Sequence, residues 1–366
     1  MPEKGAPPKV PPLQRRVLRA IRSFTSPLLP DDYLELINPL WSTRELRGRI
    51  EHIEEETADA ATVVIRPGYE WEGHVPGQYL RVGIDIDGRR HWRAYSLTSE
   101  PDRADGCISI TPKNVEEGKV SPVLVKGRKL GTILGLGGVE GEFVLPDPLP
   151  EKLLFVSAGS GITPIISMLR SLDRDGTMGD VVVLHSARTA DEVIFGSELR
   201  GLSEKHERFR LHEQHTGEMG RLAPEHLDAL CPDWREREAF LSGPGDMLDA
   251  MDGHWQEHSD CERVHMERFQ PKLSATDEAQ GDGGTITFLS SKGEAESDGS
   301  KPILAAGEEA GLDLPFGCRE GICHTCVGEL CSGQVRDMRS GKVYGQQGEM
   351  VRTCINAPEG PIEIKL

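Results

Sequence analysis

The spacing of apolar residues changes character near Glu151, and no single core satisfies both patterns. Upstream, "RGRIEHIEEE", "ATVVIRP", "GQYLRVGIDIDG", "HWRAYSLTS", "CISITPK" and "GEFVLP" are short runs broken by Gly, Pro and Asp. Such runs, without a long helix among them, predict an antiparallel sandwich or barrel. "SPVLVKGRKLG" is expected to carry one short helix. Downstream, "KLLFVSAG", "DVVVLHSAR", "RFRLHEQ" and "REAFLSGP" read as strands, and "SGITPIISMLRSL" and "ADEVIFGSELRGLSEKH" have helical spacing. Strand alternating with helix predicts βαβ units around a parallel sheet.

A third pattern follows a polar, Gly-rich stretch, "QPKLSATDEAQGDGG". Strand-like "TITFLSS" comes first, then a helix at "KPILAAGEEAG", a cysteine-bearing loop, and short strands ending in "PIEIKL". At 366 residues the chain is too long for one ordinary core. The expected division is a basic extension over 1–45, a β-barrel over 46–148, an α/β parallel-sheet domain over 149–270, a linker over 271–283 and an α+β domain over 284–366.

The net charge of −18 argues against nucleic-acid binding, which needs clustered Lys and Arg to neutralise phosphates. "MPEKGAPPKVPP" lacks the apolar core of a secretory signal, and no run approaches the roughly twenty apolar residues of a membrane span. Eight cysteines gathered toward one end do not resemble a secreted disulfide framework. A cytoplasmic monomer is expected.

Four of those cysteines, Cys318, Cys323, Cys326 and Cys354, follow the spacing C-x4-C-x2-C and then a long gap. Thiolates bind soft metals, and this is the ligand spacing of a plant-type [2Fe–2S] cluster. Gly321 suits a backbone that must pass close to inorganic sulfide. The competing reading is structural zinc, which prefers two separated C-x2-C knuckles where this chain has one. Cys331 alternates with apolar positions and is expected to face the core. Cys107, Cys231 and Cys261 are isolated and read as small hydrophobes. The stretch "ILAAGEEAGLDLPFGCREGICHTC" resembles the helix and cluster loop of plant-type ferredoxins, which implies a β-grasp-like fold for the last 80 residues.

Two stretches of the β region, "PGQYL" (76–80) and "RAYSLTS" (93–99), resemble the flavin site of the ferredoxin–NADP reductase family. The resemblance implies that Arg93 meets a flavin phosphate through its guanidinium fork. Tyr95 would stack on the isoalloxazine and Ser96 would hydrogen-bond flavin N5. Alternation along a strand puts Arg93 and Tyr95 on one face. "EGKVSPVL" resembles the pyrophosphate turn of that family, with Gly118, Lys119, Val120 and Ser121 at a helix start. A pyrophosphate site implies FAD rather than FMN.

"AGSGITP" resembles the nicotinamide loop of the same family and places Gly159, Ser160, Gly161, Thr163 and Pro164 between a strand and a helix. "HSARTADEVIF" resembles the strand end that meets the adenosine ribose, and "HMERF" the exit of the domain. "FLSGPGDM" resembles the segment facing the nicotinamide, with Ser242, Gly243 and Pro244 where many relatives carry Cys-Gly-Pro. Serine there puts a thiol contribution to hydride transfer in doubt. Phe269 has two readings, a ring packed on the flavin and an ordinary core aromatic. The choice between NADH and NADPH stays open: Arg188 and Arg221 suit a 2′-phosphate, or surface ion pairs, and Glu218 would repel one.

In the extension, Leu13, Val17, Ala20, Ile21 and Phe24 fall on one helical face and Arg15, Arg16, Arg19 and Arg22 on the other. Residues 12–24 either pack on the barrel or give a peripheral contact with an anionic membrane or a partner. "LLPDDYLELINPLWSTRELRG", with the domain order, resembles actinobacterial reductases that serve stearoyl-CoA desaturases. The resemblances imply electron transfer from NAD(P)H through FAD and a [2Fe–2S] cluster to an iron-containing acceptor protein, a membrane fatty-acyl-CoA desaturase first. Tyr95, Ser96 and Ser242 would face the reaction. The alternatives are a ring hydroxylase, an alkane hydroxylase or a cytochrome P450 as acceptor, and a redox-sensing module without turnover.

Overall fold

The computed structural model describes residues 37–42, 44–115, 118–127, 129–259, 263–269, 282–312, 314–316, 321 and 325–366. The amphipathic segment 12–24 and both Cys318 and Cys323 lie outside the described residues. The chain divides into two compact units, Met1–Gly88 with Tyr95–Phe269, and Gln270–Leu366 with Arg89–Ala94.

Six antiparallel strands form the first sheet: β1 (Arg47–Thr57), β2 (Ala60–Pro67), β3 (Tyr79–Ile86), β4 (Arg89–Ser96), β5 (Ile108–Ile110) and β6 (Ile133–Glu140). Their order is β4-β3-β6-β1-β2-β5. A bridge between Leu97, just past β4, and Ile110 on β5 brings the two ends of that order together and closes a barrel. Ile50, Val63, Ile65, Leu80, Val82, Leu97 and Ile110 fill its interior, as period-2 alternation requires. One expectation needs correction. "GEFVLP" is irregular, and the last strand of the barrel in chain order is the preceding β6. The short helix exists as a single wide turn, Val123–Gly127.

The second sheet is parallel: β7 (Lys152–Ala158), β8 (Asp180–Ala187), β9 (Phe209–His215), β10 (Glu238–Ser242) and β11 (Val264–Glu267), in the order β11-β10-β7-β8-β9. Helices α1 (Ile162–Arg174), α2 (Gly196–Lys205) and α3 (Gly245–His258) belong to it. α2 begins later than its pattern suggests, because Phe195 is left-handed (φ 59°) and starts a new element. β11 lies in "HMERF", read from sequence only as an exit. Arg237, fully buried, ties this sheet together: it pairs with Asp180 and Asp233 at 2.8 Å and donates to the carbonyls of Leu153 and Asp180.

The other unit carries β12 (Gly284–Phe288), β13 (Gly293–Ser297), β14 (Val327–Asp337), β15 (Val343–Tyr344), β16 (Met350–Arg352) and β17 (Asn356–Lys365). The order is β13-β12-β17-β14-β15, with β16 also paired to β14 and β12 parallel to β17. α4 (Ile303–Glu309) buries Ile303 and Leu304 in the same core as Phe288, Leu330 and Ile364. This is the α+β grasp expected for a ferredoxin domain. Cys331 departs from expectation: a register irregularity between Leu330 and Ser332 leaves Leu330 buried and Cys331 half-exposed. Among the described residues no helix is long and apolar enough to cross a membrane.

Candidate functional site

In the parallel sheet the chain builds outward from β7 in one direction through β8 and β9, then returns to build β10 and β11 on the other side. The crevice beyond the carboxyl ends of β7 and β10 is therefore the topological switch point, where open α/β sheets bind ligands. The turn after β7 is Gly159–Gly161, with Gly159 at φ +54°. Thr163 Oγ1 closes it by donating to the Ser160 carbonyl at 2.9 Å, and Pro164 is buried in the first turn of α1. A Cβ on Gly161 would collide with the carbonyl of Ser242, and one on Gly243 would come within 3.2 Å of the Ala158 amide. The two turns read separately from sequence are thus in contact, and glycine is what lets them touch.

Ser242 is fully buried, and its hydroxyl has no hydrogen-bond partner among the described residues. An orphaned buried hydroxyl costs about 1–3 kcal/mol, which a ligand can return. Ser157 faces Ser242 across β7 and β10, and Glu267 faces it across β11. Burial alone pushes the Glu267 carboxyl up to about 7. Ser157 Oγ and His185 Nδ1 form a buried hydrogen bond of 2.8 Å, and burial holds the imidazole down at about 4. Glu267 and His185 were not singled out by sequence reasoning. The available signal for Glu267 was an acid at the carboxyl end of a short strand.

A pocket of about 450 Å3 extends from this crevice, lined by Gly159, Arg188, Glu192, Arg221, Pro244 and Asp246 among others. Arg188 and Arg221 converge on it. Their pairs with Glu192 (3.7 Å) and Asp246 (4.0 Å) are long and solvent-exposed, so they are weak. Glu218, in the one-turn helix Thr216–Met219, is not among the lining residues.

On the barrel, Tyr95 and Ser96 end β4. Tyr95 packs half-buried against the barrel core and Ser96 is buried. Arg93 donates to the Trp92 carbonyl at 2.8 Å. The "PGQYL" turn is fastened to this strand by Leu97 N–H donating to the Gln78 carbonyl at 2.9 Å. Gly77 is required there, with φ +95° and the Phe143 carbonyl in the path of any Cβ. In the "EGKVSPVL" turn, Ser121 Oγ accepts from the Val115 amide at 3.1 Å and Val120 is buried in the barrel core. Those two side chains face inward, leaving Lys119 exposed and Gly118 half-exposed. Phe269 is half-exposed, and the hydrophobic cores among the described residues do not include it.

In the third domain, antiparallel pairing of Val327 with Arg352 brings the residues flanking them together. Thr353 donates to the Cys326 carbonyl through its amide (3.1 Å) and its hydroxyl (2.8 Å). Cys326 and Cys354 are both buried. The Gly321 amide donates to Cys354 Sγ at 3.2 Å, and Arg352 holds the Gly321 carbonyl at 3.0 Å. Gly321 has φ +73°, and a Cβ there would lie 2.5 Å from Ile355.

A barrel, a switch-point nucleotide crevice and a grasp domain with buried cysteines define a modular flavoprotein oxidoreductase. Three family models match in that order: an oxidoreductase FAD-binding domain over 48–145, an oxidoreductase NAD-binding domain over 155–253 and a 2Fe-2S iron-sulfur cluster binding domain over 287–359. The chain is 47% identical over 340 residues to an NADPH oxidoreductase of Mycobacterium tuberculosis strain H37Rv, covering 92% of this chain and 88% of that one. It is 30% identical over 316 residues to the glycine betaine monooxygenase reductase subunit of Pseudomonas aeruginosa, covering 79% and 86%. The structure of phthalate dioxygenase reductase shares the fold with a TM-score of 0.59 at 20% identity, over 87% of this chain and 97% of that one. A type IV self-sufficient cytochrome P450 monooxygenase shares it with a TM-score of 0.57 at 22% identity; the match covers 88% of this chain but 41% of that one.

The chain belongs to the ferredoxin–NADP reductase-type flavoproteins that carry a C-terminal plant-type 2Fe-2S ferredoxin domain. It is an oxidoreductase, and its cofactors are FAD, NAD(P)H and a [2Fe–2S] cluster. The residues present fit these groups. An unpartnered buried hydroxyl and a glycine-only turn face the nucleotide crevice, and a backbone amide already donates to a buried cysteine sulfur, as metal-bound thiolates require.

Proposed function

We propose that this protein is the reductase component that carries electrons from NADPH to an oxygen-activating iron enzyme, with a membrane fatty-acyl-CoA desaturase as the particular acceptor. The observation that carries the reductase reading is the contact between Gly161 and the Ser242 backbone, which builds a nucleotide crevice in the same compact unit as Tyr95 and Ser96. Bound FAD supplies the exchange between a two-electron nicotinamide donor and the one-electron cluster.

The residues act by holding and orienting. Arg93 is assigned to a flavin phosphate, Tyr95 to the isoalloxazine face, Ser96 to flavin N5, and the turn Gly118, Lys119, Val120, Ser121 to the pyrophosphate. Phe269 is assigned to the flavin ring. Gly159, Ser160, Gly161, Thr163 and Pro164, with Ser242, Gly243 and Pro244, hold the nicotinamide half of the nucleotide. Arg188, joined by Arg221, takes the 2′-phosphate, and the relative named an NADPH oxidoreductase supports that choice. Cys318, Cys323, Cys326 and Cys354 ligate the cluster.

An oxygenase-type acceptor is supported by relatives named as reductase components of monooxygenases. The desaturase is supported by "LLPDDYLELINPLWSTRELRG" and by the basic face of residues 12–24. The test combines the purified protein with membranes bearing an acyl-CoA desaturase, and separately with a soluble monooxygenase component. NADPH-dependent double-bond formation, lost in Cys326→Ser, is expected. Delivery to the soluble oxygenase with none to the desaturase overturns the finer reading and keeps the coarser one.

A further inference from the structure

α1 begins at the nucleotide turn, and one of its faces reaches the barrel. Ser167, Arg170 and Arg174 are spaced three and four residues apart, so they share that face. Ser167 Oγ donates to the Ser99 carbonyl at 2.7 Å in a fully buried contact. Arg170 Nη1 donates to the Thr98 carbonyl at 2.6 Å, and Arg174 Nη1 donates to the Pro101 carbonyl. These carbonyls lie two to five residues beyond Ser96. Met168 packs beside Gly77 in the "PGQYL" turn, so α1 grips both segments that flank the end of β4.

Arg170 is itself held from three sides. Its Nε and Nη2 donate to the Glu198 carboxylate at 2.7 and 2.6 Å, and its guanidinium lies 4.9 Å over the Phe195 ring. A two-point ion pair of this kind fixes a fork in direction as well as distance. The barrel side is fixed too: Leu97 donates to Gln78, Thr98 donates to Ser109, and His74 Nε2 shares the Ser99 carbonyl at 3.0 Å.

We propose that Arg170, with Ser167, is a positioning residue for the redox step, holding the strand end that bears Ser96 at a set distance from the Gly159–Thr163 turn. The proposal rests on the assignment of Ser96 to the flavin and of that turn to the nicotinamide. In the step, the dihydronicotinamide loses two electrons and a proton as a hydride, and the flavin gains them. Reacting atoms must come to about 3–3.5 Å, and a misplacement of about 1 Å costs on the order of a hundredfold. Arg170 lies seven residues from Thr163, about 10 Å along the helix. Over that lever, a tilt of about 6° produces such a misplacement. The Arg170 and Ser167 side chains bond Thr98, Ser99 and Glu198 rather than the residues assigned to either cofactor, so their effect passes through geometry.

The test uses the full-length, FAD-loaded protein with Arg170→Met, Arg170→Lys, Ser167→Ala and Ser96→Ala. Arg170→Met is expected to keep FAD content and the Kd for NADP+ within about twofold. It should lower kcat ten- to a hundredfold at nearly constant KM, and diminish the long-wavelength charge-transfer absorbance of the nucleotide–flavin complex. Hydrogen exchange at the Leu97 and Thr98 amides should rise several-fold. Arg170→Lys should recover part of each change, and Ser167→Ala should show the same pattern in milder form. Unchanged kcat and exchange in Arg170→Met overturn the proposal. So does loss of FAD or folding in Arg170→Met combined with no change of any readout in Ser167→Ala. If Ser96→Ala leaves the flavin absorbance maxima unmoved, the underlying assignment has failed, whatever Arg170 does.

Discussion

Gly161 and Ser242 meet backbone to backbone: the Cα of one faces the carbonyl of the other so closely that no side chain fits between them. Gly161→Ala must push the two turns of the crevice apart, because the colliding atoms are main chain and cannot rotate away. The Kd for NADP+, measured by difference absorbance, should rise at least tenfold while FAD content stays at wild-type level.

Ser242 carries the opposite signature, a hydroxyl with no partner among the described residues. Removing a buried polar atom that is already unsatisfied relieves a cost of about 1–3 kcal/mol. Nucleotide-free Ser242→Ala should therefore melt at the same temperature as wild type or a few degrees higher. Its kcat/KM for NADPH should nevertheless fall. Destabilisation without nucleotide shows that the hydroxyl has a partner in solution.

Glu267 makes stability depend on pH. Its folded carboxyl is raised from 4.5 to about 7 by burial, so the folded state keeps a proton that the unfolded chain releases. The stability this confers is fully present below about pH 4.5 and is lost as pH rises through about 7. Denaturant titrations across that window should give a falling contribution that Glu267→Gln abolishes. An identical pH slope in the variant shows that another group carries it.

Around the cluster, Gly321 combines a left-handed backbone with Ile355 in the path of a Cβ. Gly321→Ala should displace the amide that donates to Cys354 and lower iron content below about two atoms per chain. Cys331→Ser, on a half-exposed face, should leave the iron unchanged. Iron analysis of anaerobically purified variants decides both outcomes.

The parts legible in sequence were those where periodicity and local chemistry agree. β7, α1 and β8 follow the apolar pattern of "KLLFVSAGSGITPIISMLRSL" and "DVVVLHSAR" almost residue for residue. β6 was missed because Gly135, Gly137 and Gly138 depress its strand character. Gly137 is nevertheless needed, since a Cβ there would come within 2.9 Å of Arg81 on β3, and that crossing is a tertiary fact. Cys331 was misplaced because strict alternation fails at an irregular register. The meeting of Gly161 with Ser242, about eighty residues apart, follows from sheet order, which local spacing does not encode. Glu267 stayed invisible for the same reason: its carboxyl is perturbed by what surrounds it in space.

The grasp domain has a consequence for biosynthesis. β17, residues 356–365, is the middle strand of its sheet, lying between β12 and β14, and it follows every one of the four cysteines. A ribosome that has just added Cys354 has delivered all four of these cysteines, yet the nascent domain still lacks the strand that joins its two halves. The core that buries Cys326 and Cys354 also contains Ile362 and Ile364 of β17, so the burial of both sulfurs waits on the last strand to be made.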